Sequence, residues 1–349
     1  MGGVETHVAE VAPRLARLGL EVTVLTTDLD GSRAEREQVD GVTVLRVRAY
    51  PRGRDYYLAP GLPRAIRDSG ADLVHVQGYH TFVAPLAMAA AARAGIPYVV
   101  TFHSGGHPSR LRNRLRGVQR LLLRPWLRRA RRLIAVSRFE LTLFQRDLRL
   151  SASRFVLIRN GSEMPAPRTH RTASGALVVS SGRLEAYKGH GRLVAAWPAL
   201  LQRIPRARLR ILGDGSQLSA LRAAIGAAGL AGLVELGTIP PGDRQGMADA
   251  LGEANLAVLL SDYEAHPVAV MEALAVGTPV LVSRTSGLTE LVEDGLAVGV
   301  APTASSEEIA ETLAGELEHP RIVDRGRLPT WDDCAAQLRD LYLQVLAAA

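Results

Sequence analysis

Cysteine is nearly absent: Cys334 is the single one in 349 residues, which excludes a disulfide framework and a cysteine-based zinc site. Long apolar runs are missing as well. No stretch reaches the roughly 18 residues needed to cross a bilayer, and the first residues show no signal-peptide pattern. A soluble protein of a reducing compartment is therefore expected. There is no GxxxxGK(S/T) sequence, which argues against ATP hydrolysis on a phosphate loop. His75, His80, His103 and His107 are scattered without zincin spacing, so no histidine metal cluster is expected. Glycine (33) and proline (19) are near ordinary usage, against collagen-like repeats and disorder.

What is present begins with charge. Lys+Arg total 42 against 35 Asp+Glu, a net +7, which favours acidic partners without choosing a fold. The excess is local. From Ser109 to Arg132 the chain reads SRLRNRLRGVQRLLLRPWLRRARR, with no acidic residue. Leu111, Leu115, Val118, Leu122, Trp126 and Ala130 recur at helical spacing. The segment reads as a basic amphipathic helix, with Pro125 the place where it could break. It suits a packed helix with an arginine-rich solvent face, and equally residues 110–132 suit an anionic membrane surface. No zinc finger, KH loop or aromatic RNA-binding signature accompanies it, so no nucleic-acid partner is expected.

Apolar β-like runs alternate with helical stretches along the whole chain. The first set is 21–27, 42–48, 72–76, 98–103, 133–137 and 154–160, with helices expected over 4–18, 81–94 and 138–147. A second set starts at 176–181 and continues through 208–213, 233–237, 255–261 and 279–283. Such alternation predicts parallel sheets covered on both faces. The stretch SEMPAPRTHRTASG between the sets lacks periodicity and reads as a linker. Two Rossmann-like α/β domains facing across a cleft follow, with boundaries expected at 1–165 and 166–325. The first opens on a helix where a strand is usual, so its N-terminal strand is missing or supplied by another element. Residues 331–348 form a last helix with Cys334, Leu338, Leu341 and Val345 near one face; Cys334 reads as a small buried hydrophobe.

Several loops could carry chemistry. Glu264-Ala265-His266-Pro267-Val268 leads into a helix that carries Glu272 about one turn on. Two carboxylates so placed, beside the unpaired amides of a helix start, can grip a polyhydroxylated group; they also suit an ordinary surface helix. Gly182-Arg183-Leu184-Glu185-Ala186-Tyr187-Lys188-Gly189 follows a strand end, where α/β sheets bind ligands. Arg183 offers paired donors and Lys188 a mobile point charge, a combination fit for a diphosphate. Gly213-Asp214-Gly215 is a candidate tight turn. In the first half, Gly2-Gly3 precedes a helix whose amides a phosphate could approach. His103 ends a strand and can bind a hydroxyl or act as a base. Gly78 to His80 forms another candidate wall.

Together these motifs resemble family 4 of the retaining glycosyltransferases (GT4), which have the two-domain GT-B architecture. The resemblance covers nearly the whole chain. It rests on the Glu264…Glu272 pair, with GRLEAYKG, ILGDG, IRNG, Pro279-Val280, the Gly287-Leu-Thr-Glu290 turn and WDDCAAQLRDLY. It implies a nucleotide-sugar donor held mainly by the second domain, and a hydroxyl acceptor such as a lipid-linked saccharide or a polysaccharide or natural-product precursor. Arg183 and Lys188 would bind the diphosphate without a metal, and no cofactor is implied. Glu272 would grip the ribose, and Glu264 the donor sugar, with Ala265, His266, Pro267 and Val268 beside it. Gly3 would meet the diphosphate, and His103 the donor sugar. The implied catalytic set is Glu264, His103, Arg183 and Lys188. Residues 326–349 are expected to return to the first domain, and the enzyme to work in the cytoplasm or peripherally on the inner membrane face.

Three departures stand out. The first strand is absent, Ala265-His266-Pro267 replaces a more glycine- and phenylalanine-rich turn, and Ser283-Arg284-Thr285-Ser286-Gly287 carries one glycine where many relatives have two. A sugar-nucleotide 2-epimerase of the same plan and a non-catalytic GT-B scaffold are the alternatives.

Overall fold

The computed structural model describes residues 3–51, 57–79, 81–104, 110–172, 176–240 and 242–348, with no account of the side chains of 110–116. Gly2, His80 and His107 lie outside the described residues. The chain divides into two compact units. One is Ser162–Leu328. The other takes the described residues up to Ser104, those from the fourth helix to Gly161, and the stretch beginning at Pro329.

The latter unit opens on α1 (Gly3–Arg17), followed by β1 (Thr23–Asp28), β2 (Arg36–Val39), β3 (Val42–Arg48) and α2 (Leu62–Arg67). It continues through β4 (Val74–Gln77), α3 (Val83–Arg93), β5 (Tyr98–Thr101), α4 (Arg110–Arg129), β6 (Arg132–Ala135), α5 (Arg138–Leu148) and β7 (Phe155–Leu157). Two sheets result, ordered β1-β3-β2 and β4-β5-β6-β7. Among the described residues no ladder joins β1 to β4, and the strands of this unit form two separate sheets. Within the parallel four-stranded sheet, Val76, Val100, Leu133 and Phe155 stand in register across all four strands. All four are buried in the same core with α3, α4 and α5. The next residues along each strand point the other way, and there Val99 and Ile134 meet α1 and the C-terminal helix.

The second unit contains β8 (Leu177–Ser181), α6 (His190–Arg203), β9 (Arg208–Leu212), α7 (Leu218–Ala227), β10 (Val234–Gly237) and α8 (Arg244–Glu253). After these come β11 (Leu256–Leu259), α9 (Val268–Ala275), β12 (Val280–Ser283), α10 (Ser286–Glu293), β13 (Val298–Val300) and α11 (Ser306–Glu318). Its six parallel strands are ordered β10-β9-β8-β11-β12-β13. From β8 the chain winds outward through β9 and β10; from β11 it winds the other way. The sheet's crossover in winding direction thus lies between β8 and β11, where open α/β sheets form a crevice at their strand ends.

The last helix, α12 (Trp331–Ala347), begins at a capping box in which the Thr330 hydroxyl accepts from the Asp333 amide. Its buried row is Trp331, Cys334, Ala335, Leu338, Leu341, Tyr342 and Val345, packed with Val11 and Leu15 of α1. Burial pushes the Cys334 thiol up to about 12, which makes it inert as a nucleophile.

One helix departs from expectation. α4 runs unbroken through Pro125. Its buried residues are Leu123 and Leu127, whereas Val118 and Leu122 of the expected inward face are exposed, together with Leu121. The helix carries two apolar rows on nearly opposite sides, and only one packs against the unit.

Candidate active site

The loops after β8 and β11 bring together residues far apart in sequence. Lys188 Nζ donates to Glu264 Oε1 at 2.5 Å, and the Ser261 hydroxyl donates to the same oxygen at 2.9 Å. Neither charged side chain is well exposed, at 16% for Lys188 and 13% for Glu264. The pair is fixed by main-chain ties: the Asp262 amide donates to the Tyr187 carbonyl at 2.8 Å, and the rings of Tyr187 and Tyr263 stack at 4.7 Å. Arg183 is exposed and donates to the Tyr187 hydroxyl at 2.8 Å.

Gly189 ends this loop at φ +75°. A Cβ there would stand 2.1 Å from the Leu260 carbonyl oxygen, so the two loops approach only because the residue has no side chain. On the other flank, the Glu264 amide donates to Ser286 Oγ at 2.7 Å, and the Gly287 amide to the Glu264 carbonyl at 2.9 Å. Ser286 takes φ +41°, where glycine would be at ease. The serine in place of a second glycine thus carries strain but adds a hydroxyl that holds Glu264.

α9 starts just beyond, with Pro267 at its N-cap and no side chain capping it. Ala265, His266 and Val268 are partly exposed and Pro267 is buried. Glu272, one helical turn in, turns toward Arg244: Nη1 donates to its Oε1 at 3.1 Å, while Nη2 donates to the Glu163 carbonyl at 2.6 Å. Sequence reasoning missed Arg244 because it sits on α8 with no motif around it.

In the other unit, His103 follows β5 at φ +50°, a conformation uncommon for a residue with a side chain. Its Nε2 lies 2.7 Å from Gln77 Oε1, and its ring meets that of His7 edge-on at 4.8 Å. His7 and His75, also close by, are neutral: burial lowers His7 to about 4 and His75 to about 3. Of the four histidines that looked scattered, His75 and His103 come together through Gln77, with His7 beside His103. Among the described residues no group of three His, Cys, Asp or Glu is placed to hold a metal ion. Gly3 begins α1 and is exposed; Gly78 follows β4 and its amide donates to the Thr101 carbonyl at 2.7 Å.

The geometry therefore joins Lys188 to Glu264, places Arg183 and Glu272 on the same loops and helix, and leaves Gly3 and His103 on the other unit. Cations, carboxylates and an uncapped helix start converge at the crossover between β8 and β11. That arrangement suits an anionic, hydroxyl-rich ligand.

Two family models take in most of the chain. "Glycosyltransferase Family 4" matches residues 1–163, and "Glycosyl transferases group 1" matches residues 168–326. D-inositol 3-phosphate glycosyltransferase of Nocardiopsis dassonvillei is 29% identical, over 91% of this chain and 82% of that protein. GDP-mannose:cellobiosyl-diphosphopolyprenol alpha-mannosyltransferase of Komagataeibacter xylinus is 27% identical over 100% of this chain and 91% of that protein. Among solved structures, sucrose-phosphate synthase of Thermosynechococcus elongatus superposes with a TM-score of 0.80 at 22% identity, covering 100% of this chain and 94% of that one; this likeness concerns the fold.

Proposed function

The chain is a GT-B-fold glycosyltransferase related to these two families, and we propose that it transfers a hexosyl group from a nucleotide-sugar donor to a hydroxyl acceptor, retaining anomeric configuration and needing no metal. The observation that carries this reading is the Lys188–Glu264 pair at the crossover of the second sheet. A cation and a carboxylate held side by side match the two ends of the bond to be broken, a diphosphate and a sugar. We assign the donor to the unit Ser162–Leu328 and the acceptor to the other.

In this reading Arg183 and Lys188 receive the negative charge that grows on the departing diphosphate, the electrostatic term that dominates such transfers. Glu264 orients the donor sugar from the loop 264–268, and Glu272 binds the ribose hydroxyls. Gly3 and His103 are assigned to the diphosphate and the donor sugar respectively. No carboxylate is assigned as a covalent nucleophile, so the acceptor hydroxyl attacks from the face that the diphosphate leaves.

The acceptor is proposed to be lipid-linked. The Komagataeibacter relative is named for a diphosphopolyprenol acceptor, and α4 offers a surface for the purpose. Val118, Leu121 and Leu122 are 54%, 64% and 66% exposed, on a helix whose sequence holds eight arginines. No helix among the described residues is long and apolar enough to cross a membrane. A peripheral seat on the inner face of the cell membrane follows as part of the proposal.

The test is heat-induced unfolding against UDP-, GDP-, ADP- and dTDP-sugars, followed by turnover with the stabilising donor in the presence of a chelator. Selective stabilisation, and a product whose anomeric proton shows the donor's configuration, are expected. Inverted product, chelator-sensitive transfer, or epimerised donor without acceptor would each overturn the corresponding part. Binding without any turnover would favour the scaffold. Replacing either Arg183 or Lys188 with an uncharged residue should impair transfer strongly while leaving the unfolding temperature near that of the parent.

A further inference from the structure

We propose that Gln77 is a positioning residue for His103: its side-chain carbonyl fixes the imidazole in one orientation and as the tautomer that carries its hydrogen on Nε2. The inference deepens the reading of His103 as a donor-sugar residue and rests on it for its catalytic consequence. The positioning itself stands on geometry within one unit.

Gln77 is the last residue of β4 and His103 lies just beyond β5, its parallel neighbour. The strand ladder therefore fixes the separation of their backbones. Across it, Gln77 Oε1 lies 2.7 Å from His103 Nε2, the length of a good hydrogen bond. An amide can present either end, and the two ends select opposite tautomers.

Here the oxygen end faces His103 and the nitrogen end faces His75. On the far side of the amide, His75 Nδ1 lies 2.5 Å from the Tyr342 hydroxyl. His75 Nε2 lies 2.7 Å from Thr101 Oγ1, and burial keeps the ring neutral, so one of its two nitrogens has a lone pair to offer. The Gln77 amide nitrogen rests 3.4 Å from each His75 nitrogen. In this orientation the amide hydrogens face a ring that can receive one, and the carbonyl faces His103.

The remaining side of the ring is packed. His7 meets it edge-on at 4.8 Å, and His7 is held in turn by Asn160 Oδ1 at 2.8 Å from its Nδ1. The backbone of His103 is also held at φ +50°, a conformation that persists only where surroundings impose it. With Nε2 donating to Gln77, the imidazole is held as one tautomer and in one orientation.

The experiment is nitrogen NMR of ring-labelled histidine in the intact chain, with His103 assigned by its loss in His103→Ala. The parent is expected to show a protonated Nε2 and a bare Nδ1. Gln77→Leu should move both shifts toward the averaged values of a mixed tautomer. Gln77→Glu, which keeps an acceptor oxygen, should preserve the hydrogen on Nε2. With the donor found by stabilisation, Gln77→Leu should lower kcat by about tenfold or more with KM changed less than about twofold, and Gln77→Glu should recover part of it. Unchanged His103 shifts in Gln77→Leu would overturn the proposal. Altered shifts with normal turnover, and normal turnover in His103→Ala, would uphold the positioning but overturn the donor role of His103. Should Gln77→Leu not fold, Gln77→Asn carries the same test, since its shorter side chain withdraws the carbonyl from Nε2.

Discussion

Lys188 and Glu264, 76 residues apart, form a 2.5 Å ion pair in which each group holds the partner that a donor would have to replace. A diphosphate entering beside Lys188 competes with the Glu264 carboxylate for the same ammonium. In the proposed reading, binding of the whole donor would escape this conflict, with the sugar offering hydroxyls to Glu264 as the phosphate takes Lys188.

Glu264→Gln separates the two effects. The amide keeps the shape but removes the charge that competes with phosphate. Free nucleoside diphosphate should bind at least as tightly as to the parent, measured by calorimetry, while transfer falls by about 100-fold or more. Loss of both nucleotide binding and transfer would mean that Glu264 chiefly holds the loop together.

Gly189→Ala tests how close the loops must come. A Cβ at φ +75° and 2.1 Å from the Leu260 carbonyl oxygen has no room, and the contact is backbone, which cannot rotate aside. A destabilisation of about 2–4 kcal/mol is expected in denaturant unfolding. Gly191→Ala is the control, because nothing lies within 4 Å of its Cβ position.

The outer row of α4 predicts its own partner. Leu121 and Leu122 contribute nothing to the core at 64% and 66% exposure, so replacing both with aspartate should leave the unfolding temperature nearly unchanged. On vesicles containing anionic lipid, binding by the variant should weaken by about tenfold or more, and parent binding should fall as salt is raised. Equal binding by parent and variant would remove α4 from any membrane role.

The elements legible in sequence were those with strong apolar periodicity. β3 was expected over 42–48 and occupies Val42–Arg48. Two strands were not anticipated, and both lack that signal. β2 reads Arg-Glu-Gln-Val on an exposed edge, and β13 is only Val-Gly-Val. α4 was anticipated, but its expected row is divided: Trp126 and Ala130 meet the core while Val118 and Leu122 are exposed, because spacing alone does not say which apolar residues find a neighbour. In the candidate site, the Lys188 and Glu264 loops were legible from their residue types. Arg244 and Gln77 were not. Their partners are set by sheet order and by strand register, which no local pattern announces.

Buried neutral histidines predict an acid-sensitive fold. His7 and His190 are lowered by burial to about 4, and His75 to about 3. In the unfolded chain each takes up a proton near its ordinary value, about 6.5. Between that value and the folded one the unfolded state binds more protons, so stability rises with pH through this window and falls as pH drops below about 6.5. The loss is complete once pH is below the folded values. For His7 alone it is on the order of 3 kcal/mol. Denaturant unfolding at pH 7.5 and pH 5 should show the decline, and His7→Gln, neutral at both, should shrink the difference between them. An unchanged pH dependence in that variant would mean that His7 is protonated in the folded chain, with solvent or a charge reaching it.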